Sequence, residues 1–193
     1  LSLYGRGAER LHEEIIPLTA RWTDLSQRKG PISPYRREAE AKTLDLLDEA
    51  LSGSSDSPNE TIQKRLLSSA ARDIEELLPH LAPRAEELAR ISGDRLQKRG
   101  EQEATALRET LERQHKHVRE ALADKANSVD QLPLGFTQEE WEQLKANVRA
   151  WRTRIEQFER DLKQEPQRIR DFYDVRVTRV EPVGLVYLWP KSN

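Results

Sequence analysis

The clearest pattern in this 193-residue chain is a run of apolar residues spaced three and four positions apart between residues 141 and 172. Its members are Trp141, Leu144, Val148, Trp151, Ile155, Phe158, Leu162, Ile169 and Phe172, and only Glu165 interrupts it. This spacing places one apolar stripe along one side of a long helix, and such a stripe needs a second helix to cover it. We therefore predict a coiled-coil helix here, the seam helix, over residues 137–172.

The start of the seam helix is marked by Thr137, which is followed three positions later by Glu140. A threonine and a glutamate at this spacing are typical of a capping box, in which each side chain bonds to the backbone N–H of the other residue. The sequence therefore predicts that the helix begins directly after Thr137.

A second run of apolar residues near heptad spacing lies upstream and is expected to supply the partner helix. It consists of Ala104, Leu107, Leu111, Val118 and Ala121. We predict a loop over residues 125–136 after it, and a connection this short requires the two helices to run antiparallel. In the register that this loop gives, Ala104 faces Phe158, and Gly100 lies beside the same phenyl ring.

The N-terminal part of the chain is predicted to form shorter helices. Apolar faces indicate helices over residues 5–29, 33–51 and 59–79. Proline removes a backbone donor and crowds the preceding helical turn. We therefore expect Pro79 and Pro83 to break the chain between the third of these helices and the coiled coil.

The pattern changes at the C-terminus, where two runs rich in β-branched and aromatic residues flank a Pro-Val-Gly sequence at positions 182–184. Such runs around a turn are typical of a β-hairpin. An isolated hairpin is only marginally stable in water. We therefore expect residues 174–193 to pack on the helices or to join a sheet elsewhere.

Taken together, these patterns predict a mainly α fold, namely a helical bundle with a long antiparallel coiled-coil arm and a short C-terminal β-hairpin. Residues 1–80 would form an N-terminal helical bundle segment, residues 81–173 the antiparallel coiled coil, and residues 174–193 the hairpin. We expect the three segments to form one continuous domain.

Composition agrees with long solvent-exposed helices, because 34% of the residues are charged and only 36% are hydrophobic. The chain has no cysteine, which excludes a disulfide scaffold, a thiolate metal site and a cysteine nucleophile. No apolar run approaches the roughly 18–20 residues of a membrane span, so we expect no membrane association. The absence of methionine leads us to expect a segment of a larger protein.

The sequence offers no constellation that predicts catalysis. No phosphate-binding glycine loop, serine elbow or HExxH motif is present. His115 and His117 are two positions apart and would point in different directions on a helix, so we interpret them as solvated positions. Adjacent carboxylates such as Glu75 and Glu76 are interpreted in the same way. We therefore predict no catalytic residue, no metal site and no cofactor, and hence no enzyme activity of this chain alone.

Basic residues are concentrated near the C-terminus, although the whole chain carries a net charge of −2. From Lys145 onwards there are eleven Lys and Arg against seven Asp and Glu, a net of +4. Arginine forks suit phosphate oxygens and bind nucleic acid without sequence preference. Alternatively, these arginines form ion pairs four positions apart, such as Arg152 with Glu156. The candidates for nucleic-acid contact are Arg149, Arg152, Arg168, Arg170, Arg176 and Arg179.

Residues 168–176 (RIRDFYDVR) and 179–190 (RVEPVGLVYLWP) resemble the C-terminal tail of large bacterial SNF2-like helicases, as in DISARM-type anti-phage defence systems. The resemblance covers about 25 of the 193 residues. It implies an ATP-driven, DNA-acting parent enzyme in a bacterial cytoplasm, with ATP and Mg²⁺ bound by the motor. The chain has no Walker A motif and no DEAH-type box, so no catalytic residue carries over to it.

Two hypotheses of different classes follow. In the first, the chain is a non-catalytic accessory domain of such a helicase or translocase in phage defence, and it contacts DNA, the motor lobes or a defence-system subunit. We then expect the isolated chain to be a cytoplasmic monomer. In the second, it is a scaffolding or oligomerisation coiled-coil domain with no nucleic-acid role, and the seam helix pairs between chains.

Overall fold

The computed structural model describes residues 1–24, 28, 30–53, 58–130 and 137–190. Within them the fold is mainly α, as predicted, with a small three-stranded antiparallel sheet. The elements are β1 (Ser2–Tyr4), β2 (Arg10–Glu13), α1 (Arg37–Ser52), α2 (Glu60–Asp130), α3 (Gln138–Tyr173) and β3 (Val177–Arg179). The order of strands in the sheet is β2-β1-β3, so the N-terminal strand β1 lies in the centre.

The chain divides into two compact units. The first unit comprises Leu1–Leu3, His12–Ile91 and Val177–Asn193, and the second comprises Tyr4–Leu11 and Ser92–Arg176. The boundary between Ile91 and Ser92 lies inside α2.

The predicted N-terminal helix over residues 5–29 is wrong. The described part of this segment contains β2 and irregular backbone but no helix. The apolar residues of this stretch do fall at helical spacing, yet β2 takes its backbone hydrogen bonds from the sheet. The N-terminal segment 1–80 is therefore not wholly helical, because its first helix, α1, begins only at Arg37.

The predicted break at Pro79 and Pro83 is also wrong, because α2 runs through both prolines without interruption. The two residues are four positions apart and thus lie on one face of the helix, and both are exposed. Carbonyl groups that lose their helical donors on this face can bond to water. On the other face, the half-buried Leu77 and Leu81 keep the helix packed in the first unit.

The second unit contains the predicted antiparallel pair of helices. Arg170 Nε on α3 donates to Glu101 Oε1 on α2 at 2.9 Å. Further along, the rings of Phe158 and His115 lie 6.2 Å apart between centroids. From the first contact to the second, the residue number rises along α2 and falls along α3, as antiparallel packing requires.

The predicted helix start is confirmed, but the predicted register is wrong. The hydroxyl of Thr137 accepts from the backbone N–H of Glu140, whose carboxylate accepts from the backbone N–H of Thr137. Phe158, however, faces His115 and not Ala104, a shift of about three helical turns. The predicted loop over residues 125–136 begins too early, because α2 continues to Asp130. Phe158 on α3 therefore contacts α2 nearer its C-terminal end than predicted.

The apolar seam of α3 follows the predicted positions up to Ile169, all of which are at least partly buried. Where Glu165 interrupts the apolar pattern, the next residue, Pro166, is buried and continues the seam. Phe172 is 50% exposed, and Tyr173 takes its place by packing against Gly100. The seam therefore shifts by one residue in the last turn of the helix.

The predicted C-terminal hairpin is wrong as well. Residues 177–179 form β3, which pairs with β1 at the N-terminus of the chain. Residues 180–190 form neither helix nor strand. The chain thus ends in a C-terminal strand followed by an irregular segment, and residues 191–193 lie outside the described part.

Candidate functional site

Four of the six arginines predicted to contact nucleic acid are already paired with carboxylates. The pairs, each given as the nitrogen–oxygen distance, are Arg168 with Glu165 at 2.8 Å, Arg170 with Glu101 at 2.9 Å, Arg176 with Asp174 at 2.5 Å and Arg179 with Glu181 at 3.6 Å. A phosphate would have to compete with these carboxylates. Nucleic-acid contact by these four residues stays a prediction.

Arg149 and Arg152 differ from the other four, because neither guanidinium bonds to any residue in the described part of the chain. The predicted ion pair between Arg152 and Glu156 is not formed there either. Instead, the backbone oxygen of Glu156 accepts from Arg160 Nε at 3.4 Å. Both side chains are exposed on α3 and are available to an outside anion.

Lys145 extends this pair into a stripe. Residues 145, 149 and 152 are spaced by four and three positions, so they fall within about 60° on one face of α3 and span about 10 Å along its axis. The ammonium group of Lys145 lies 5.5 Å from the centre of the Trp141 ring. Residues 143–155 contain no acidic residue. We call Lys145, Arg149 and Arg152 the basic stripe.

The six predicted arginines do not form one site. Arg149 and Arg152 lie about one turn apart on the same face of α3, whereas Arg168 and Arg170 are two positions apart and point in different directions. Arg179 belongs to the first unit, and the other five belong to the second. Of the predicted set, Arg149 and Arg152 thus share one face of α3 without a described carboxylate partner, and Lys145, which was not predicted, lies on the same face.

A buried polar cluster in the first unit was not predicted from the sequence. At its centre is Asp73 on α2, which is 1% exposed. Its carboxylate accepts from Trp22 Nε1 at 3.1 Å, from Arg28 Nε at 2.6 Å and from Tyr187 OH at 2.7 Å. Three segments that are distant in sequence thus meet at one carboxylate.

Glu76, one turn further along α2, completes the cluster. Its carboxylate accepts from an Arg28 guanidinium nitrogen, from the backbone N–H of Ile32 at 2.7 Å and from Arg72 Nε at 2.9 Å. These donors, Arg28 foremost, lower the pKa of Glu76 to about 2. Burial, reinforced by the Asp73 carboxylate, raises the pKa of the Tyr187 hydroxyl.

The arrangement around Asp73 suits structural stabilisation better than catalysis. Both carboxylate oxygens are occupied by donors, and the group is closed to solvent. A cavity of about 450 Å³ adjoins it, and apolar side chains such as Leu44, Leu66 and Trp189 form most of its wall. One sequence signal could have revealed the cluster, since Asp73 falls on the apolar stripe of the helix together with Leu66 and Leu77.

His115 was interpreted as a solvated position, and this is wrong. The residue is half-buried in the helix pair, and its Nε2 atom is buried without a hydrogen-bond partner among the described residues. The described residues contain no group of three or more His, Asp or Glu side chains that could hold a metal ion. They also include no helix that is long and apolar enough to cross a membrane.

The chain matches no protein-family model, no curated protein and no solved structure.

Proposed function

We propose that this chain is a non-catalytic accessory domain of a SNF2-like DNA helicase or translocase, and that its coiled coil contacts DNA phosphates through the basic stripe. The observation that carries the DNA contact is the pair of exposed guanidinium groups of Arg149 and Arg152, which no described carboxylate neutralises. The resemblance of the C-terminal residues to helicase tails supports the parent class. On this proposal the protein acts in bacterial phage defence, in the cytoplasm.

The shape and charge of the stripe support contact with a phosphate backbone rather than with bases. Three cations along about 10 Å of helix match three successive phosphates of one DNA strand, which follow one another at about 3.4 Å of the DNA axis. Arginine binds phosphate through two parallel N–H···O bonds, so that both geometry and charge favour the contact. Such binding reads no sequence and weakens as salt is added, because it releases counterions.

The test is duplex-DNA binding by the whole chain, measured by fluorescence anisotropy over a salt titration. The variant Arg149→Glu/Arg152→Glu should bind more weakly at low salt. Its plot of log affinity against log salt concentration should be shallower by about 2, since each lost phosphate contact lowers the slope by about 1.

The control variant is Arg95→Glu/Lys98→Glu, which makes the same change in net charge on exposed positions of α2. It should retain most of the salt dependence. Equal loss in both variants would show a general charge effect and would refute a specific stripe. Wild-type affinity that does not depend on salt would refute the DNA contact altogether.

Scaffolding remains a second candidate because of a separate observation, the exposed apolar side chains of the first unit. Ile15, Val183 and Val186 are all more than half exposed, and apolar residues of this kind are common at protein–protein contacts. The seam of α3 is not available for this purpose, because α2 covers it within the same chain. A scaffolding role would therefore use the first unit.

A further inference from the structure

The segment after β3 has the side-chain alternation of a β-strand. Leu185, Tyr187 and Trp189 are half-buried in the first unit, and the bond from Tyr187 to Asp73 fixes this inward face. Between them, Val186 is 65% exposed and Leu188 is 39% exposed. Alternation with a period of two is the geometry of extended backbone.

Among the described residues, no strand lies beside the backbone of this segment. Residues 183–189 make no backbone hydrogen bond to any residue in the described part of the chain. Pro182 and Pro190 border the segment and carry no N–H group. Seven residues therefore offer a row of backbone donors and acceptors that no described residue engages, which is the template that an additional strand requires.

The charge pattern indicates which strand would fit. Residues 182–190 contain no charged side chain, although 34% of the whole chain is charged. The outer strands of the sheet do carry charges, with Arg10 and Glu13 on β2 and Arg179 on β3. Charges protect strand edges from unwanted pairing, and residues 182–190 lack this protection. Two copies of the same uncharged segment can pair without placing like charges opposite each other.

We propose that residues 183–189 pair with the same residues of a second copy of this chain, as an antiparallel two-stranded ladder centred on Val186. A two-fold axis at Val186 makes the contact self-complementary, as in most homodimers. It also places Gly184 opposite Leu188, so that the larger side chain meets the smallest residue. The side chain of Val186 would then lie against Val186 of the second copy, and that of Leu188 against Gly184, instead of water.

A single-cysteine experiment tests this pairing directly, because the chain contains no cysteine. In the variant Val186→Cys, two-fold pairing would bring the two Cα atoms to about 4.5–5.5 Å, which is within the range of a disulfide. Mild oxidation should convert this variant mostly to a covalent dimer on a non-reducing gel. Leu67→Cys is the matched control, because Leu67 is 75% exposed on α2 and outside the segment.

Light scattering supplies a second measurement that does not depend on oxidation. The wild-type mass should rise towards that of a dimer with concentration, whereas Val186→Lys should remain a monomer with unchanged circular dichroism. Equal cross-linking of the Val186→Cys and Leu67→Cys variants would indicate random collision and overturn the proposal. A wild-type chain that stays monomeric at all concentrations would also overturn it.

Discussion

Two glycines in the same helix should respond in opposite directions to the same substitution. Gly93 and Gly100 both lie inside α2 and within the second unit. Replacing a helical glycine by alanine restricts the unfolded chain and should stabilise the helix by about 0.5–1 kcal/mol. At Gly93 nothing lies within 4 Å of the added Cβ, so the variant Gly93→Ala should show this gain in full.

At Gly100 the added Cβ would lie 3.0 Å from Tyr173 Cβ, 3.2 Å from Cδ2 and 3.3 Å from Cγ. Carbon atoms in good contact are about 3.5–4.0 Å apart, so the tyrosine or the helix must move. Tyr173 is not free to give way, because its hydroxyl bonds to Glu103 at 2.9 Å and Arg99 stacks on its ring. Overpacking of this kind costs about 1–3 kcal/mol.

The net effect of Gly100→Ala should therefore range from neutral to about 2 kcal/mol of destabilisation, after the helical gain of about 1 kcal/mol is subtracted. Gly93→Ala should raise the midpoint of thermal unfolding by about 2–4 °C per kcal/mol at this chain length. Urea unfolding of both variants, followed by far-ultraviolet circular dichroism, measures the difference in the free energy of unfolding. If Gly100→Ala stabilises the protein as much as Gly93→Ala does, the close contact with Tyr173 is refuted.

The remaining predictions concern the buried cluster. Asp73→Ala leaves the Trp22 and Tyr187 donors without an acceptor and leaves Arg28 with Glu76 alone, so it should lower the free energy of unfolding by about 3–5 kcal/mol. Tyr187→Phe removes one hydrogen bond and should cost only about 1–2 kcal/mol. Urea unfolding measures both losses, and Asp48→Ala on an exposed position of α1 is the control. A loss below about 1 kcal/mol for Asp73→Ala would contradict the stabilising role of the cluster. The pKa of Glu76 is about 2 in the folded protein and 4.5 ordinarily. As the pH falls, the unfolded chain therefore takes up this proton at a higher pH than the folded protein does. The contribution of Glu76 to stability should therefore be complete above about pH 4.5 and lost as the pH falls towards 2. The variant Glu76→Gln should flatten the stability–pH curve between these values, and a curve as steep as that of the wild type would contradict the depressed pKa.

The seam helix could be predicted from the sequence because its determinants are local. Heptad spacing and the capping box of Thr137 and Glu140 act within a few turns of one helix, and both are formed. The pairing register was less accessible, because it depends on where α2 ends. Six further helical residues, up to Asp130, moved the contact of Phe158 along α2.

The strand pairing could not be predicted because the partners are remote in sequence, although β3 does lie within the C-terminal segment that was expected to form strands. β3 begins at Val177 and pairs with β1 near the N-terminus, and β2 joins the other side of the same strand. The apolar spacing over residues 5–29 satisfied a helical period, but the sheet supplied other partners for the backbone. In the same way, tertiary packing kept α2 helical through Pro79 and Pro83 against their intrinsic preference.

The candidate site was partly predictable. Arg149 and Arg152 were among the residues chosen from the charge pattern, and they are the members without a described carboxylate partner. The ion pair from Arg170 to Glu101 could not be foreseen, because it joins residues that are 69 positions apart. Charge patterns along a chain indicate where cations are dense, whereas three-dimensional packing decides which of them stay available.

The bond from Tyr187 to Asp73 joins residues 114 positions apart, and this has a consequence for the order of folding. Contacts of the helix pair in the second unit span shorter stretches of the chain, such as the 70 positions between Glu103 and Tyr173, so they should form earlier than a contact over 114 positions. The first unit cannot complete its core until residue 187 has left the ribosome. During synthesis it must therefore persist as an incomplete intermediate with exposed apolar surface, the kind of species on which chaperones act.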